Sequence, residues 1–456
     1  MLTLPTTALT IIETLKNSAF TVYAVGGSVR DTIMGIPTRG WDFATSATPE
    51  QTLSLFPDSF YDNRFGTVGV KIYTEPRTPQ SEPADIYEIT TYRSEKEYRD
   101  FRHPDKVTWG RTIEEDLSRR DFTINAIASD GREIVDPYGG QKHLQEKLIQ
   151  AVGDPQARFR EDALRMMRAV RIATQLGFLI SAATRDAIAG NADLLKNISA
   201  ERIRDELMKL MAFEHAADGI LLMRNTGILK VILPELDAAF AVGQKSPQRH
   251  HIYDVGTHSV MALKYCPSGD PVVRLATLLH DIGKVETAKT DPQGIVTFYN
   301  HEVNGARAAV KIAGRLKLTK KHTEKLVTLV RWHQFSVDER QTDSAIRRII
   351  RRIGTENLED MLALRTGDRL GGGAKETSWR LELFRNRLEE VQKQPFSVSD
   401  LKVNGHDVMK ILEVAPGPVV GKVLGELFAE VENGKLSNER DALIRKIEEM
   451  RKIKSA

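Results

Sequence analysis

The sequence predicts an α+β chain: a small-sheet head, an all-helical neck, a second helical domain and a helical tail. Three observations carry this. Short β-rich runs (FTVYAVGG, GTVGVKIYT, ADIYEITTY) alternate with turn signals and helical stretches up to about residue 145. After about Gly153 the periodicity changes, and in EDALRMMRAVRIATQLGF the residues Leu164, Met167, Val170, Ile172 and Leu176 recur close to 3.6 residues apart. At 456 residues the chain also exceeds one ordinary core, so two to four domains are expected.

In order, the head covers residues 1–145 and the neck 146–245. A polar, proline-containing stretch, GQKSPQR from Gly243 to Arg249, reads as a linker. A helical domain follows at 250–393. Pro395 and the VAPGPVVG turn (Val414 to Gly421) then punctuate a tail over 394–456. No internal repeat or low-complexity segment interrupts this order.

With 41% hydrophobic and 28% charged residues the composition is that of a soluble globular protein. The longest apolar stretch, Gly219 to Gly243, is broken by Arg224, Lys230, Glu235 and Asp237 and cannot span a bilayer. The first residues lack the basic start and cleavage site of a signal peptide. A single cysteine, Cys266, excludes an intramolecular disulfide and fits a reducing cytoplasm. The net charge of +3 says little about partners, but two local clusters could neutralise phosphates or simply face solvent. They are Arg347, Arg348, Arg351 and Arg352, and the run Lys317 to Lys325.

Chemistry enters at Gly26-Gly27-Ser28-Val29-Arg30-Asp31, which follows an apolar run and opens a helical pattern. Two glycines let backbone approach a triphosphate, and Arg30 could add a bidentate phosphate contact. Trp41-Asp42-Phe43-Ala44-Thr45 follows. Then come Glu88 to Arg93, the run Arg119-Arg120-Asp121-Phe122-Thr123-Ile124-Asn125-Ala126, and Glu161-Asp162-Ala163-Leu164-Arg165. Five motifs in this order resemble the class II tRNA nucleotidyltransferases and related poly(A) polymerases of the polymerase-β-like superfamily. The resemblance runs from Ala24 to about Gly421.

That resemblance implies Mg²⁺-dependent nucleotidyl transfer, with Asp42 as a metal ligand just past a strand and Glu88 as a further carboxylate on a neighbouring one. It implies nucleotide contacts from Gly26, Gly27, Arg30, Arg119, Asp121 and Asn125. Asp162 and Arg165, three apart and expected on one helical face, correspond to the family's amino-acid template for CTP and ATP. A carboxylate accepts from the exocyclic amino group of C or A, and a guanidinium donates to ring acceptors. Glu97 to Arg111 matches the family's flexible loop, with Arg111 moving with it, and favours CCA addition. Arg202 to Leu210, RIRDELMKL, matches a neck segment of structural character.

One position departs from the family. The usual motif is Asp-x-Asp, and here it reads Gly40-Trp41-Asp42. Glycine offers no ligand, so weak or absent transfer is expected. Three explanations compete: an impaired enzyme, partial compensation by Glu88, Asp31 or water, and a chain acting by RNA binding or through its other domain.

In the second helical domain His258, then His280-Asp281 in LLHDIGK, then Asp368 in LRTGDRL resemble the HD superfamily, with His301 and His333 between them. The resemblance implies one divalent metal on His258, His280, Asp281 and Asp368, and a second supported by His301 and His333. Mn²⁺, Ni²⁺ or Mg²⁺ could serve, and a metal-bound water would attack a phosphate ester. His406-Asp407 repeats the dipeptide without partners and reads as structural. The tail matches a segment that grips the tRNA elbow.

The sequence therefore points to a cytoplasmic enzyme completing the tRNA 3′ CCA end from CTP and ATP, with no membrane attachment. Its oligomeric state is not legible. Two alternatives stay open: a poly(A) polymerase, and a tRNA-binding HD phosphohydrolase whose transferase site is inactive.

Overall fold

The computed structural model describes residues 2–38, 40–63, 66–73, 82–98, 104–244, 253–292, 294–335, 343–376, 379–392 and 398–454. Residues 245–249 of the expected linker and 99–103 of the expected loop lie outside them. The chain forms two compact units. One comprises Met1–Gly243, Gly269–Pro271 and Lys311–Thr319; the other comprises Gln244–Ser268, Val272–Val310 and Lys320–Ala456.

The first unit carries strands β1 (Val22–Val25), β2 (Asp42–Thr45), β3 (Ser59–Asn63), β4 (Thr67–Ile72), β5 (Asp85–Thr91), β6 (Arg93–Tyr98), β7 (Pro104–Trp109), β8 (Ala128–Ser129), β9 (Ile134–Val135), β10 (Leu148–Ile149) and β11 (Leu179–Ile180). Seven of them make a mixed sheet in the order β3-β4-β5-β2-β1-β8-β9. Its one parallel pair, β2 with β5, sets Asp42 opposite Glu88. Along β5 the side chains alternate: Tyr87, Ile89 and Thr91 are buried, which turns Glu88 to the open face. Asp42 opens β2 rather than following a strand as the sequence suggests.

The covered face is sealed by helix Thr6–Asn17, which buries Ala8, Ile11, Ile12 and Leu15 at helical spacing. Each of its larger side chains contributes about 1.5–3 kcal/mol by leaving water. A second cluster packs Val25 and Ala44 of the sheet against Tyr92, Ile113 and Leu117. It anchors helix Ile113–Ser118, so Arg119, its C-terminal cap, is delivered from the end of that helix.

Beyond the head the chain is largely helical, but the neck is not wholly so. β10 and β11 pair in parallel within it. Helix Pro155–Glu161 stops at Asp162, whose backbone is extended (φ −141°, ψ 104°), and a new helix, Leu164–Leu176, begins two residues later. Asp162 and Arg165 therefore do not share one continuous helical face. The Asp162 carboxylate instead accepts from the Leu164 amide at 3.0 Å, capping the second helix.

The second unit is helical except for the short hairpin of β12 (Lys289–Thr290) and β13 (Val296–Thr297). Helices Val255–Tyr265 and Leu358–Gly371 pack closely. A Cβ on Gly367 or Gly371 would lie 2.5 Å from backbone atoms of Ala262, so only glycine permits this approach. Asp368 lies between those glycines and is thereby brought to His258. In the tail, Val408, Val423, Leu427, Leu443 and Ile447 form a separate core. There Asp407 completes a capping box with Asn404 and pairs with Arg440 at 2.5 Å.

The arginine cluster divides by helical period. Arg347 is buried and donates to the Glu432 carbonyl, and Arg351 pairs with the Glu432 carboxylate. Arg352, on the alternate row, lies over Trp332. No described helix is long and apolar enough to cross a membrane.

Candidate functional site

Two constellations stand out, one in each unit. The first is a cleft of about 500 Å³ on the open face of the head sheet. Asp42 and Glu88 face into it from paired strands, and Gly26-Gly27 lies alongside. A Cβ at Gly26 would lie 3.0 Å from an Arg120 guanidinium nitrogen and 3.5 Å from an Asp42 oxygen, on a backbone at φ +80°. The left-handed backbone there favours glycine, and a side chain would also press on Arg120.

Arg119, Asp121 and Asn125 line the next wall, and Asp162 and Arg165 the far one. Most of the nucleotide-binding residues expected from the sequence are thus gathered in one cleft. Arg30 is the exception. It is buried, donating to Asn125 Oδ1 at 2.8 Å and to Asp31 Oδ1 at 2.8 Å. Those bonds tie its guanidinium to Asn125, which lines the cleft. Arg111 is not among the cleft-lining residues either, and its amide donates to Glu115 Oε2 at 2.8 Å. The described part of the expected flexible loop is an antiparallel hairpin of β6 and β7, registered from Arg93↔Trp109 to Tyr98↔Pro104.

The sequence assigns no contact in the cleft to Arg93, Arg168 or Arg202, yet all three line it. Arg168 sits one helical turn after Arg165, a spacing that could have identified it. Arg202, read as structural, holds Asp162 through two guanidinium nitrogens at 3.3 and 2.8 Å. Arg165 is fixed in turn by Glu161 at 2.7 Å and the Arg119 carbonyl at 3.1 Å. Both side chains are thus held by neighbouring residues.

Six arginines and four carboxylates line the cleft, so its balance favours a polyanion. Beneath it, fully buried Asp116 accepts from Arg119 at 2.6 Å and Arg120 at 3.1 Å. Burial alone would raise the Asp116 pKa, but the two guanidinium groups hold it below the ordinary carboxylate range. Desolvation pushes the Asp42 carboxyl up, opposed by the charge of Arg120.

Asp121 is the most strongly stabilised anion of the cleft. Its burial is outweighed by Arg168 at 2.6 Å and the Asn125 amide at 3.1 Å, which bring its pKa down to about 2. A depressed folded-state pKa stabilises the fold above the unfolded value near ~3.9, and that contribution is lost as pH falls through the folded value. It is worth roughly 2–3 kcal/mol. We expect the urea-midpoint difference between wild type and Asp121→Asn to be largest near neutrality and to shrink between about pH 4 and pH 2. An offset constant over that window would contradict this assignment.

The second constellation is a buried knot of histidines and aspartates. His258 Nε2 lies 3.1 Å from Asp368 Oδ1 and 3.3 Å from His280 Nε2. Asp281 faces His280 through Oδ2 at 3.2 Å, and faces His301 and His333 through Oδ1 at 3.4 and 3.6 Å. Asp281 thus joins two ligand groups: His258, His280 and Asp368 on one side, and His301 and His333 on the other. The Nδ1 atoms of His280, His301 and His333 reach the carbonyls of Thr277, Phe298 and Val330 at 2.7–2.8 Å. That fixes the tautomer and leaves Nε2 as the inward lone pair.

The Nε2 atoms of His301 and His333 are buried with no hydrogen-bond partner. Buried nitrogens set beside carboxylates suit a cation, so the residues fit a divalent metal, and the nitrogen-rich donor set suits a transition ion. Without metal, burial disfavours charge, but Asp281 and Asp368 outweigh it at His280 and raise its pKa to about 10. A metal ion would take the place of that proton. Lys284, buried, donates to Asp281 Oδ2 and Gln244 Oε1, each at 2.6 Å.

The head offers no comparable group. Among the described residues both clusters of three or more metal-ligating side chains lie in the second unit. Asp42 and Glu88 are paired carboxylates whose hard oxygens suit a divalent cation, and Gly40 adds no oxygen ligand.

Residues 22–150 match the poly A polymerase head domain, 177–240 the probable RNA and SrmB-binding site of polymerase A, and 296–447 the putative domain 2 of tRNA nucleotidyltransferase. The CCA-adding enzyme of Geobacillus thermodenitrificans is 46% identical over 231 residues, 50% of this chain and 54% of that one. The chain thus spans about half the length of that relative. The CCA-adding enzyme of Levilactobacillus brevis is 33% identical over 440 residues, 95% of each chain. The crystal structure of the Bacillus stearothermophilus CCA-adding enzyme in complex with CTP superposes with a TM-score of 0.70 at 29% identity, covering 98% of both chains. On sequence over nearly the whole length, and on a shared fold, the chain belongs to the CCA-adding enzyme family.

Proposed function

We propose that the chain completes or repairs the 3′ CCA end of tRNA, joining CMP and AMP units to a terminal hydroxyl without a nucleic-acid template. One observation carries this reading: Asp162 and Arg165, each held by a neighbour, face the same cleft as Asp42 and Glu88. Cytosine and adenine both offer an amino donor to Asp162 and a ring acceptor to Arg165, whereas the keto bases reverse that pattern. Gly26 and Gly27 admit the triphosphate close to backbone, with Arg119 and Arg120 opposite, their guanidinium groups held by Asp116. Asn125, steadied by Arg30, and Asp121 shape the sugar end. Mg²⁺ on Asp42 and Glu88 would neutralise triphosphate charge and acidify the attacking hydroxyl. With Gly40 in place that assembly is incomplete, and we expect slow transfer.

Extension of a tRNA lacking CCA, with CTP and ATP supplied singly and together, tests the reading. Addition of three residues supports it; A-only tracts favour the poly(A) alternative; tRNA binding without extension leaves an inactive transferase site. In the same assay Arg165→Ile removes one base contact worth about 1–3 kcal/mol. Discrimination against UTP should fall roughly ten- to hundredfold. Unchanged selectivity would sink the template role. The substrate implies a cytoplasmic setting and a tail that contacts tRNA.

A second activity rests on the partnerless His301 and His333 nitrogens. With metal bound on the histidine–aspartate cluster, the second unit would hydrolyse phosphate esters, a 2′,3′-cyclic phosphate being one such ester.

A further inference from the structure

Among the described residues that bond the metal-ligand cluster, two side chains carry a permanent positive charge, Lys284 and Arg365. They differ in what they can still do. Lys284 is 7% exposed and its ammonium is committed to Asp281 and Gln244 at 2.6 Å each. It lies over the Phe298 ring, 5.3 Å from its centroid, and serves the interior.

Arg365 has the opposite disposition. Its side chain is 27% exposed, and one nitrogen donates to Asp368 Oδ2 at 2.8 Å. The other oxygen of that carboxylate, Oδ1, is the one facing His258. Arg365 therefore stands one carboxylate away from the ligand cluster, on a side that reaches solvent. A guanidinium has five N–H donors in a fixed plane, so most of its donor capacity survives the bond to Asp368. The plane is supported: Arg365 lies over Phe335, which packs at 4.8 Å against Phe384, itself 1% exposed. A long cation resting on half-buried Phe335, itself backed by buried Phe384, has little freedom still to lose on binding.

We propose that Arg365 is the phosphate anchor of the second unit: it binds non-bridging oxygens of a phosphate ester presented to the metal pair. This rests on reading the cluster as a metal-dependent phosphohydrolase. The planar fork matches two phosphate oxygens in a way a lysine point charge does not. Its bond to Asp368 holds the fork beside the cluster.

The test uses the full chain loaded with Mn²⁺ or Ni²⁺, in wild type, Arg365→Ala and Arg365→Lys. Metal content, the KM and kcat for p-nitrophenyl phosphate and bis(p-nitrophenyl) phosphate, and inhibition by inorganic phosphate are measured. We expect metal content to stay at the wild-type value in all three. In Arg365→Ala, KM and the inhibition constant for phosphate should rise together, roughly ten- to hundredfold. Arg365→Lys should recover the charge but little of the bidentate contact. Loss of metal in Arg365→Ala would show that Arg365 merely positions Asp368 and would overturn the anchor. An unchanged phosphate inhibition constant would overturn it as well. A wild-type protein that holds metal but neither hydrolyses these esters nor binds phosphate would remove the hydrolase reading itself, and the anchor with it.

Discussion

Gly40→Asp should raise CMP incorporation into a tRNA lacking CCA by about two orders of magnitude or more. The estimate assumes that a metal ligand at this point contributes several kcal/mol to stabilising transferred phosphate charge, each 1.36 kcal/mol being tenfold in rate. The structure indicates that the substitution is tolerated. A Cβ at position 40 would meet nothing within 4 Å. The backbone at φ +70° is left-handed, a conformation aspartate and asparagine accept more readily than most residues, at a cost of roughly 1–2 kcal/mol. The Gly40 amide donates to Asp85 Oδ2 at 2.9 Å, and nothing in the substitution removes that bond. Asn at the same position is the decisive control, because it shares the shape and backbone tolerance but lacks the anionic ligand. A gain with Asp and none with Asn identifies a missing metal ligand. Equal gains would point to loop stiffening. No gain with either would mean that Gly40 does not limit transfer, leaving the chain to work with Asp42 and Glu88 or to act by binding RNA.

How much of this was legible in the sequence depends on the range of the interaction involved. The head sheet declared itself in short β-rich runs, and β5 followed strict alternation, with Glu88 projecting opposite to Tyr87 and Ile89. The cleft was visible as ordered motifs because each contributes side chains from one local stretch. What escaped depended on partners distant in sequence. That Arg30 also bonds Asn125, 95 residues away, is not legible in its own motif. Arg202 reads as part of a structural neck segment, and its hold on Asp162 across 40 residues appears only in the fold. The break between Glu161 and Leu164 was hidden for a different reason. Apolar spacing continues through it, and only the Asp162 carboxylate, by capping the next helix, reveals that the first has ended. The histidine–aspartate set was readable as a list. That one carboxylate serves both halves was not, since it depends on how the rings are turned by the carbonyls of Thr277, Phe298 and Val330.

That shared carboxylate leads to the second large effect: Asp281→Ala should empty both metal positions at once. Asp281 lies within 3.2–3.6 Å of the Nε2 atoms of His258, His280, His301 and His333, so its removal strips a ligand from each group and the bridge between them. His333→Ala touches one group only, His301, His333 and Asp281, and leaves His258, His280 and Asp368 intact. Metal analysis of the purified full chain should therefore read two equivalents in wild type, one in His333→Ala and close to none in Asp281→Ala. Hydrolysis of bis(p-nitrophenyl) phosphate should vanish in Asp281→Ala. Folding has to be watched separately, because this deletion leaves Lys284 buried without its main acceptor, a change that can cost 3–5 kcal/mol. Asp281→Asn limits that problem: the amide oxygen can still accept from Lys284 while the anionic bridge is gone. Integrity of the fold can be followed by circular dichroism and urea unfolding, which do not depend on the metal. Metal content that is equal in wild type and both Asp281 variants would reject the cluster as a metal site. A content of one in Asp281→Asn would show two independent sites, with Asp281 belonging to only one of them.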